Sequence, residues 1–303
     1  MTKLCLGTVQ FGMKYGVNNV IKRQPTWEES FEMLDYAIAR GIRVIDTARA
    51  YGEAELVLGE YFRNRDNKEI QIISKLRPNV IEKGEKDVYT HVARELEDSF
   101  RRMNVDKLNG YLLHTPEYIY NRQIVAALMR LKEEGYVENI GVSIYDLKEG
   151  RATIDTDGMD YVQLPYSILD QRGAKEGFLS EARRKGIRVF ARSAFLQGLF
   201  MMDKTEIPEH LRKAIPHLDV MDRILEKYQV DKISAILHFV AREAEIDYLV
   251  FGVETKEQLI QDIDRFHHGR VPEECIKELK ELIHNVDETI IFPSLWSNGK
   301  KAE

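Results

Sequence analysis

The chain is expected to fold as a (β/α)8 barrel, a closed ring of eight parallel strands with helices outside. Three observations predict it. Short β-rich runs alternate with segments carrying apolar residues at helical spacing along almost the whole length. The β-rich runs number eight, at 3–7, 43–46, 71–75, 108–114, 140–143, 161–164, 188–192 and 248–252. No Pro/Ser-rich linker divides the 303 residues, and the usual size of this barrel, about 250 residues, leaves room for modest insertions. A doubly wound open sheet is the alternative, but no GxGxxG follows the first run and no GxxxxGK[ST] occurs anywhere. Residues 1–303 are therefore read as a single domain.

The elements follow in order. After the first run, segment 27–40 places Phe31, Leu34 and Ile38 on one helical face. Thr26 with Glu29 reads as a capping box at its start, and Gly41 reads as its terminator. The stretch ARGIRVID then turns from that helix into the second run. Run 71–75 precedes a helix over 88–102 with Val92, Leu96 and Phe100 in register. Run 108–114 precedes a helix over 124–134 carrying Leu128 and Leu131. KEEGYVENIGVS and RRKGIRVFARS repeat the helix–glycine–strand idiom at Gly135 and Gly186, leading into runs 140–143 and 188–192.

Composition narrows the function classes. Lys and Arg total 44 against 50 Asp and Glu, a net charge of −6 without a long basic run. That balance argues against nucleic-acid binding. No apolar run approaches the roughly 20 residues of a membrane span, and no apolar h-region with a cleavage site opens the sequence. Cys5 and Cys275 lie nearly a chain apart, with no CxxC or HExxH, so no metal site is expected and a reducing cytoplasm is.

In a parallel barrel, chemistry sits where strands end. The second run ends in Asp46, with Tyr51 shortly after; the third ends in Lys75 and the fourth in His114. These four form a candidate acid/base cluster. A phenol with a pKa near ~10 is a reluctant acid at neutral pH. A desolvated Lys75 beside Tyr51 would lower it, at about 1.4 kcal/mol per pKa unit, while Asp46 holds Lys75 charged. His114 would orient the same substrate oxygen. Taken singly, each residue also has a structural explanation: a cap, a packing ring, a solvated lysine, a core histidine. Their joint placement at strand ends favours chemistry.

The sequence resembles the aldo-keto reductase family. The stretches that carry the likeness are LGTVQFG (6–12), GIRVIDTARAYGEAELVLGE (41–60), IISKL (72–76), YLLHTP (111–116), GVS (141–143), VQLPYS (162–167) and FLQGLF (195–200). The resemblance implies a barrel that binds a nicotinamide cofactor in extended form, a catalytic tetrad of Asp46, Tyr51, Lys75 and His114, and Tyr51 as the general acid. It implies cofactor contacts at Ser143 and Gln163 for the carboxamide, with Ile144 standing where the family often has Asn. Arg192 stands where the family often stacks an aromatic ring on the nicotinamide; a guanidinium plane can stack too, or Arg192 binds an acidic substrate. Segment 195–199, with Phe195, Gln197 and Gly198, resembles the loop that closes over the pyrophosphate, and Ser193 is a further expected cofactor contact. Gly252 and Gln258 occupy positions where members that prefer NADPH place 2′-phosphate-binding side chains. Lys256 and a helix N-terminus near Thr255 remain as anion-attracting features. NADPH is the expected cofactor, with NADH the alternative.

For the substrate, a small-molecule carbonyl compound, Val9, Phe11, Arg49, Tyr166, Phe195 and Trp296 are the expected lining. Trp296 either overhangs the pocket from the C-terminal tail or latches onto the barrel exterior. Arg49 with Arg192 would make a basic mouth, pointing to a phosphate or carboxylate on the substrate, and the sugar and nucleotide-sugar pathways of bacterial relatives are the nearest likeness. A monomer or small homo-oligomer is expected. A non-catalytic nicotinamide-binding regulatory barrel is the competing function, and the intact tetrad argues against it. A metal-dependent hydrolase would need His and carboxylate ligands gathered at several strand ends, which the eight histidines do not offer.

Overall fold

Eight parallel strands close on themselves in sequence order in the computed structural model, which describes residues 2–65, 68–82, 84–293 and 295–296. They are β1 (Lys3–Gly7), β2 (Val44–Asp46), β3 (Gln71–Leu76), β4 (Leu108–Leu113), β5 (Val137–Ser143), β6 (Tyr161–Pro165), β7 (Arg188–Arg192) and β8 (Tyr248–Phe251). Cys5 pairs with Val44 on one side and with Val250 on the other, which closes the ring through β1. Strands buried on both faces need near-continuous apolar sequence, and that is why these runs were legible.

The expected runs are all strands, with small shifts at their ends. β5 starts three residues earlier than expected, at Val137, because Glu138 is exposed and the Asn139 amide donates to the Asn109 carbonyl at 2.8 Å. β4 stops at Leu113, leaving His114 as the first residue of the loop beyond it.

The helices follow their predicted faces and caps. In Trp27–Ala39, Thr26 and Glu29 make both hydrogen bonds of the capping box. Its buried stripe is Ser30, Met33, Leu34 and Ala37, with Phe31 and Ile38 at its edges. Helices Val88–Met103 and Arg122–Glu133 bury Val92 and Leu96, and Leu128 and Leu131. The longest connection, from β7 to β8, carries helices Ile215–Tyr228 and Lys232–Ala241.

The end of the barrel where the strands begin is stoppered. Tyr161, Phe190 and Tyr248 project inside it, with Phe190 and Tyr248 stacked at 4.5 Å between centroids and Arg188 lying 4.6 Å above the Tyr161 ring. The other end is open, and the loops there build the site. No helix among the described residues is long and apolar enough to cross a membrane.

Candidate active site

Tyr51 is positioned by two glycines that touch. A Cβ on Gly12 would lie 1.7 Å from the Tyr51 carbonyl oxygen, and one on Gly52 would lie 2.2 Å from the Gly12 oxygen. Gly52 also has φ +55°, a conformation most side chains resist. The Gly12 carbonyl accepts from the Glu53 N–H at 3.2 Å. The loops after β1 and β2 thus press backbone to backbone, and Tyr51 is held over the barrel mouth.

Beneath it lies a buried ion pair. Lys75 is fully buried, and its Nζ donates to both Asp46 carboxylate oxygens at 2.8 Å and to the Thr47 carbonyl at 2.9 Å. The Tyr51 hydroxyl lies farther off, 3.4 Å from Nζ. An ammonium has three protons, so its shorter contacts bind Lys75 first to Asp46 and the backbone. Gln163 Nε2 donates to Asp46 at 2.7 Å, and Ser143 Oγ donates to Gln163 Oε1 at 3.1 Å. One chain of hydrogen bonds therefore joins four strands, from Ser143 on β5 through β6 and β2 to Lys75 on β3.

The titration directions correct one expectation. Burial, and after it the Asp46 carboxylate, push the Tyr51 phenol above its ordinary range, while Arg192 opposes them. Lys75 does not bring the phenol down here, because its charge is matched by Asp46. Burial likewise draws the Lys75 ammonium down, against the pull of Asp46. His114 meets the Tyr51 ring edge-on, with centroids 5.8 Å apart. Burial, then the charges of Lys75 and Arg192, lower its pKa from 6.5 to about 3, so it is neutral near pH 7. Its buried Nδ1 has no hydrogen-bond partner among the described residues.

A groove of about 630 Å3 runs from this cluster across the barrel mouth. Tyr51, His114, Ser143, Tyr145 and Arg192 line one end; Gly252, Glu254, Gln258 and Asp262 line the other. Two loops meet over it, where Val17 N–H donates to the Gln197 carbonyl at 3.0 Å. The β7 side of this bridge is bent through positive φ at Ser193, Leu196, Gln197 and Gly198. For the non-glycine residues that costs about 1–2 kcal/mol each.

A sequence model described as the Aldo/keto reductase family matches residues 3–284. The chain belongs to the aldo/keto reductase family. It is accordingly an oxidoreductase that acts on carbonyl compounds with a nicotinamide cofactor. The NADH-specific methylglyoxal reductase of Escherichia coli strain K12 is 23% identical over 295 residues, covering 87% of this chain and 89% of that protein. Pyridoxal 4-dehydrogenase of Microbacterium luteolum is 21% identical, with 90% and 92% covered. A holo-form aldo-keto reductase from Bacillus halodurans superposes with a TM-score of 0.75 at 17% identity, over 96% of this chain and 94% of that one, which shows the shared fold.

The groove suits the family's cofactor. It is of ordinary ligand-pocket size, and Gln10, one of its lining residues, keeps a buried Oε1 without a partner among the described residues. Ser143, Arg192, Ser193, Phe195, Gln197, Gly198, Gly252, Gln258 and Val9 all line it. Gln163 sits behind Ser143 and is committed to Asp46.

Other expected positions lie elsewhere. Lys256 turns away to pair with Glu32 at 3.2 Å. Phe11 is fully buried in the core. Tyr166 donates to Glu243 at 2.6 Å and stacks on Phe239. Arg49 is absent from the groove wall and its charge acts on buried Tyr111, while its neighbour Ala50 faces the groove. Trp296 donates to the Thr289 carbonyl at 3.0 Å and is likewise absent from the groove wall.

Among the lining residues that escaped the sequence reading, four bear on the chemistry of the groove. Tyr145 follows Ser143 by two and lies against Arg192, 4.2 Å from its guanidinium. Tyr15 accepts from Gln197 Nε2 at 2.9 Å. Glu254 accepts from the Val20 N–H at 2.8 Å, with Ile21 N–H and the Asn19 side chain also bonded to it. Asp262 has no hydrogen-bond or ion-pair partner among the described residues, and burial raises its pKa from 3.8 to about 7. Only Asp262 left a signal: it lies four residues after Gln258, on the same helical face.

Proposed function

We propose that this aldo/keto reductase reduces small aldehydes or ketones to alcohols, with NADH as the preferred cofactor and Tyr51 as the proton donor. The carrying observation is the buried Asp46–Lys75 pair directly under Tyr51 at the floor of the groove. The cofactor, when bound, supplies the hydride. Ser143 is the wall residue that would hold its carboxamide, and at the other end Gly252 leaves room for Gln10, whose Oε1 would lie 2.4 Å from a Cβ there. Tyr51 keeps its proton across the working pH range because burial holds it there. Neutral His114 orients the carbonyl oxygen toward Tyr51 without adding charge. As the carbonyl oxygen gains negative charge, its own affinity for a proton rises above that of the phenol, and the proton passes from Tyr51 to it.

The far end of the groove supports NADH. Its lining carries two carboxylates, Glu254 and Asp262, while the cation of Lys256 is engaged by Glu32. Gln258 is occupied too, accepting from the Glu254 N–H at 2.8 Å. Burial raises the pKa of both acids and weakens their charge, but a 2′-phosphate at this end would still find acidic side chains and no cation among the described lining there, which disfavours it. In this reading NADH, the alternative offered by the sequence, takes the place of the expected NADPH on that ground. The Escherichia coli relative bears the same preference in its name. A cytoplasmic location belongs to this proposal, since Cys5 and Cys275 are both buried free thiols.

Two measurements test the reading. Tyr51→Phe is expected to lower kcat for every reduced carbonyl by about 10²–10⁴ while NADH affinity moves little; near wild-type turnover would refute the assignment. Fluorescence titration is expected to give NADH a Kd at least about tenfold below that of NADPH. The double change Glu254→Gln with Gln258→Arg should narrow or reverse that ratio. Equal wild-type affinities would remove the cofactor part of the proposal and leave the chemistry standing.

A further inference from the structure

Arg192 is a cation without a counter-ion. No carboxylate pairs with it among the described residues, although the surface arginines around the barrel have such partners in number. Its two hydrogen bonds go to neutral oxygens: Nη2 donates to the Ile144 carbonyl at 2.9 Å and Nη1 to Ser193 Oγ at 3.2 Å. These contacts and the Tyr145 ring 4.2 Å away fix the fork in place and leave N–H donors uncommitted. It faces the groove, partly buried, and is the one cationic side chain among the groove's described lining. Leaving a partly desolvated charge unpaired is costly, so such a group is most economically explained by an anion that arrives with a ligand.

The position of the charge narrows the ligand. Arg192 acts electrostatically on Tyr51, Tyr15, His114 and Lys75, so it stands at the reacting end. The acidic residues Glu254 and Asp262 mark the opposite end. The pyrophosphate of an extended dinucleotide lies between its two ends, away from the reacting atoms. An anion carried by the carbonyl substrate, a few bonds from its C=O, would reach Arg192 while its oxygen meets Tyr51. A planar guanidinium backed by an aromatic ring is suited to bidentate binding of a carboxylate or phosphate edge.

We propose that Arg192, seated on Tyr145, binds an anionic oxygen group of the substrate, and that the enzyme's preferred substrates are small oxo acids, aldehydes or ketones carrying a carboxylate or phosphate near the carbonyl. This rests on the carbonyl-reductase reading above. It narrows the basic mouth expected from the sequence to a single residue, since Arg49 is turned away.

The test is steady-state reduction by the full-length protein with NADH. Glyoxylate and succinic semialdehyde are the anionic probes, and glycolaldehyde and butyraldehyde are the neutral ones. The wild type should favour the anionic members in kcat/KM by more than about tenfold. Arg192→Gln should collapse that preference by about 10–150-fold, the worth of a charge-assisted hydrogen bond, mainly through KM. Arg192→Lys should recover part of it, as charge without the fork. Succinate should inhibit the wild type competitively against the carbonyl, and lose that inhibition in Arg192→Gln.

A wild type that prefers neutral carbonyls overturns the proposal. So does an Arg192→Gln variant, folded by its thermal transition, whose loss appears in the Kd for NADH instead; the anion would then be the cofactor's pyrophosphate. Reduction of neither class would instead overturn the carbonyl-reductase reading beneath it.

Discussion

His114 carries a pH dependence whose sign can be worked out. Its folded pKa is about 3, against 6.5 in the unfolded chain. Between those values the unfolded chain binds a proton that the folded protein refuses. The stabilising effect of neutral His114 is therefore complete above about 6.5 and is lost as pH falls toward 3. The urea midpoint should drop from pH 7 to pH 5.5, and His114→Asn should flatten that drop. A midpoint equally steep in the variant would assign the effect elsewhere. The grouping of Asp46, Tyr51, Lys75 and His114 was legible because three of them stand at or next to the ends of neighbouring strands and Tyr51 follows shortly after one. The substrate wall was less legible, because neighbours in an extended or looped segment face opposite ways. Phe11 lies in the short helix Val9–Gly12 and turns into the core, and Arg49 is absent from the groove wall while its neighbour Ala50 lines it. Tyr145 and Glu254 became visible only once Arg192 and the segment at Asn19–Ile21 were seen resting on them.

At the scale of elements, the site depends on how closely two loops approach. Gly12 ends the short helix Val9–Gly12 and lies against the backbone of Tyr51 and Ala54. Neither backbone can move aside cheaply, so Gly12→Ala must push the β1 loop from the β2 loop and carry Tyr51 with it. We expect kcat to fall by about 10²-fold, with far-ultraviolet circular dichroism unchanged because no strand is touched. Full activity in Gly12→Ala would mean that the loops have slack. The two glycines stand in the sequence as QFG and YG, yet only the structure pairs them. The strands themselves were readable almost to the residue, β7 at both ends. Their errors came where a polar side chain belongs to a strand, as Asn139 does by bonding back to β4.

At the scale of the molecule, the last described segment reaches back to the catalytic end. Ile290 and Ile291, in the short helix Glu288–Ile291, are buried. Phe292 lies 4.3 Å from the Arg172 guanidinium and 6.4 Å from the Tyr145 ring. Ending the chain at residue 287 removes two buried side chains, each worth about 1.5–3 kcal/mol, and the neighbour of the ring that carries Arg192. Both a lower urea midpoint and a higher KM for the anionic probes should follow. A shorter protein with wild-type values in both would show that the tail only rests on the barrel.

The aromatic stopper at the closed end of the barrel has a kinetic meaning. Tyr161, Phe190 and Tyr248 pack against one another beneath the site, and the hydrogen-bond chain from Ser143 to Lys75 ends on the Thr47 carbonyl inside the barrel. The route from Tyr51 to bulk solvent that the structure shows is the groove, which the substrate fills in the proposed reaction. In the proposed reaction each proton is therefore loaded before the carbonyl arrives and replaced after the alcohol departs. The enzyme would act as a single-shot acid, rearmed once per cycle. Stopped-flow mixing with an indicator dye should then show proton uptake from solvent lagging NADH oxidation in the first turnover; uptake simultaneous with oxidation would show a second proton path.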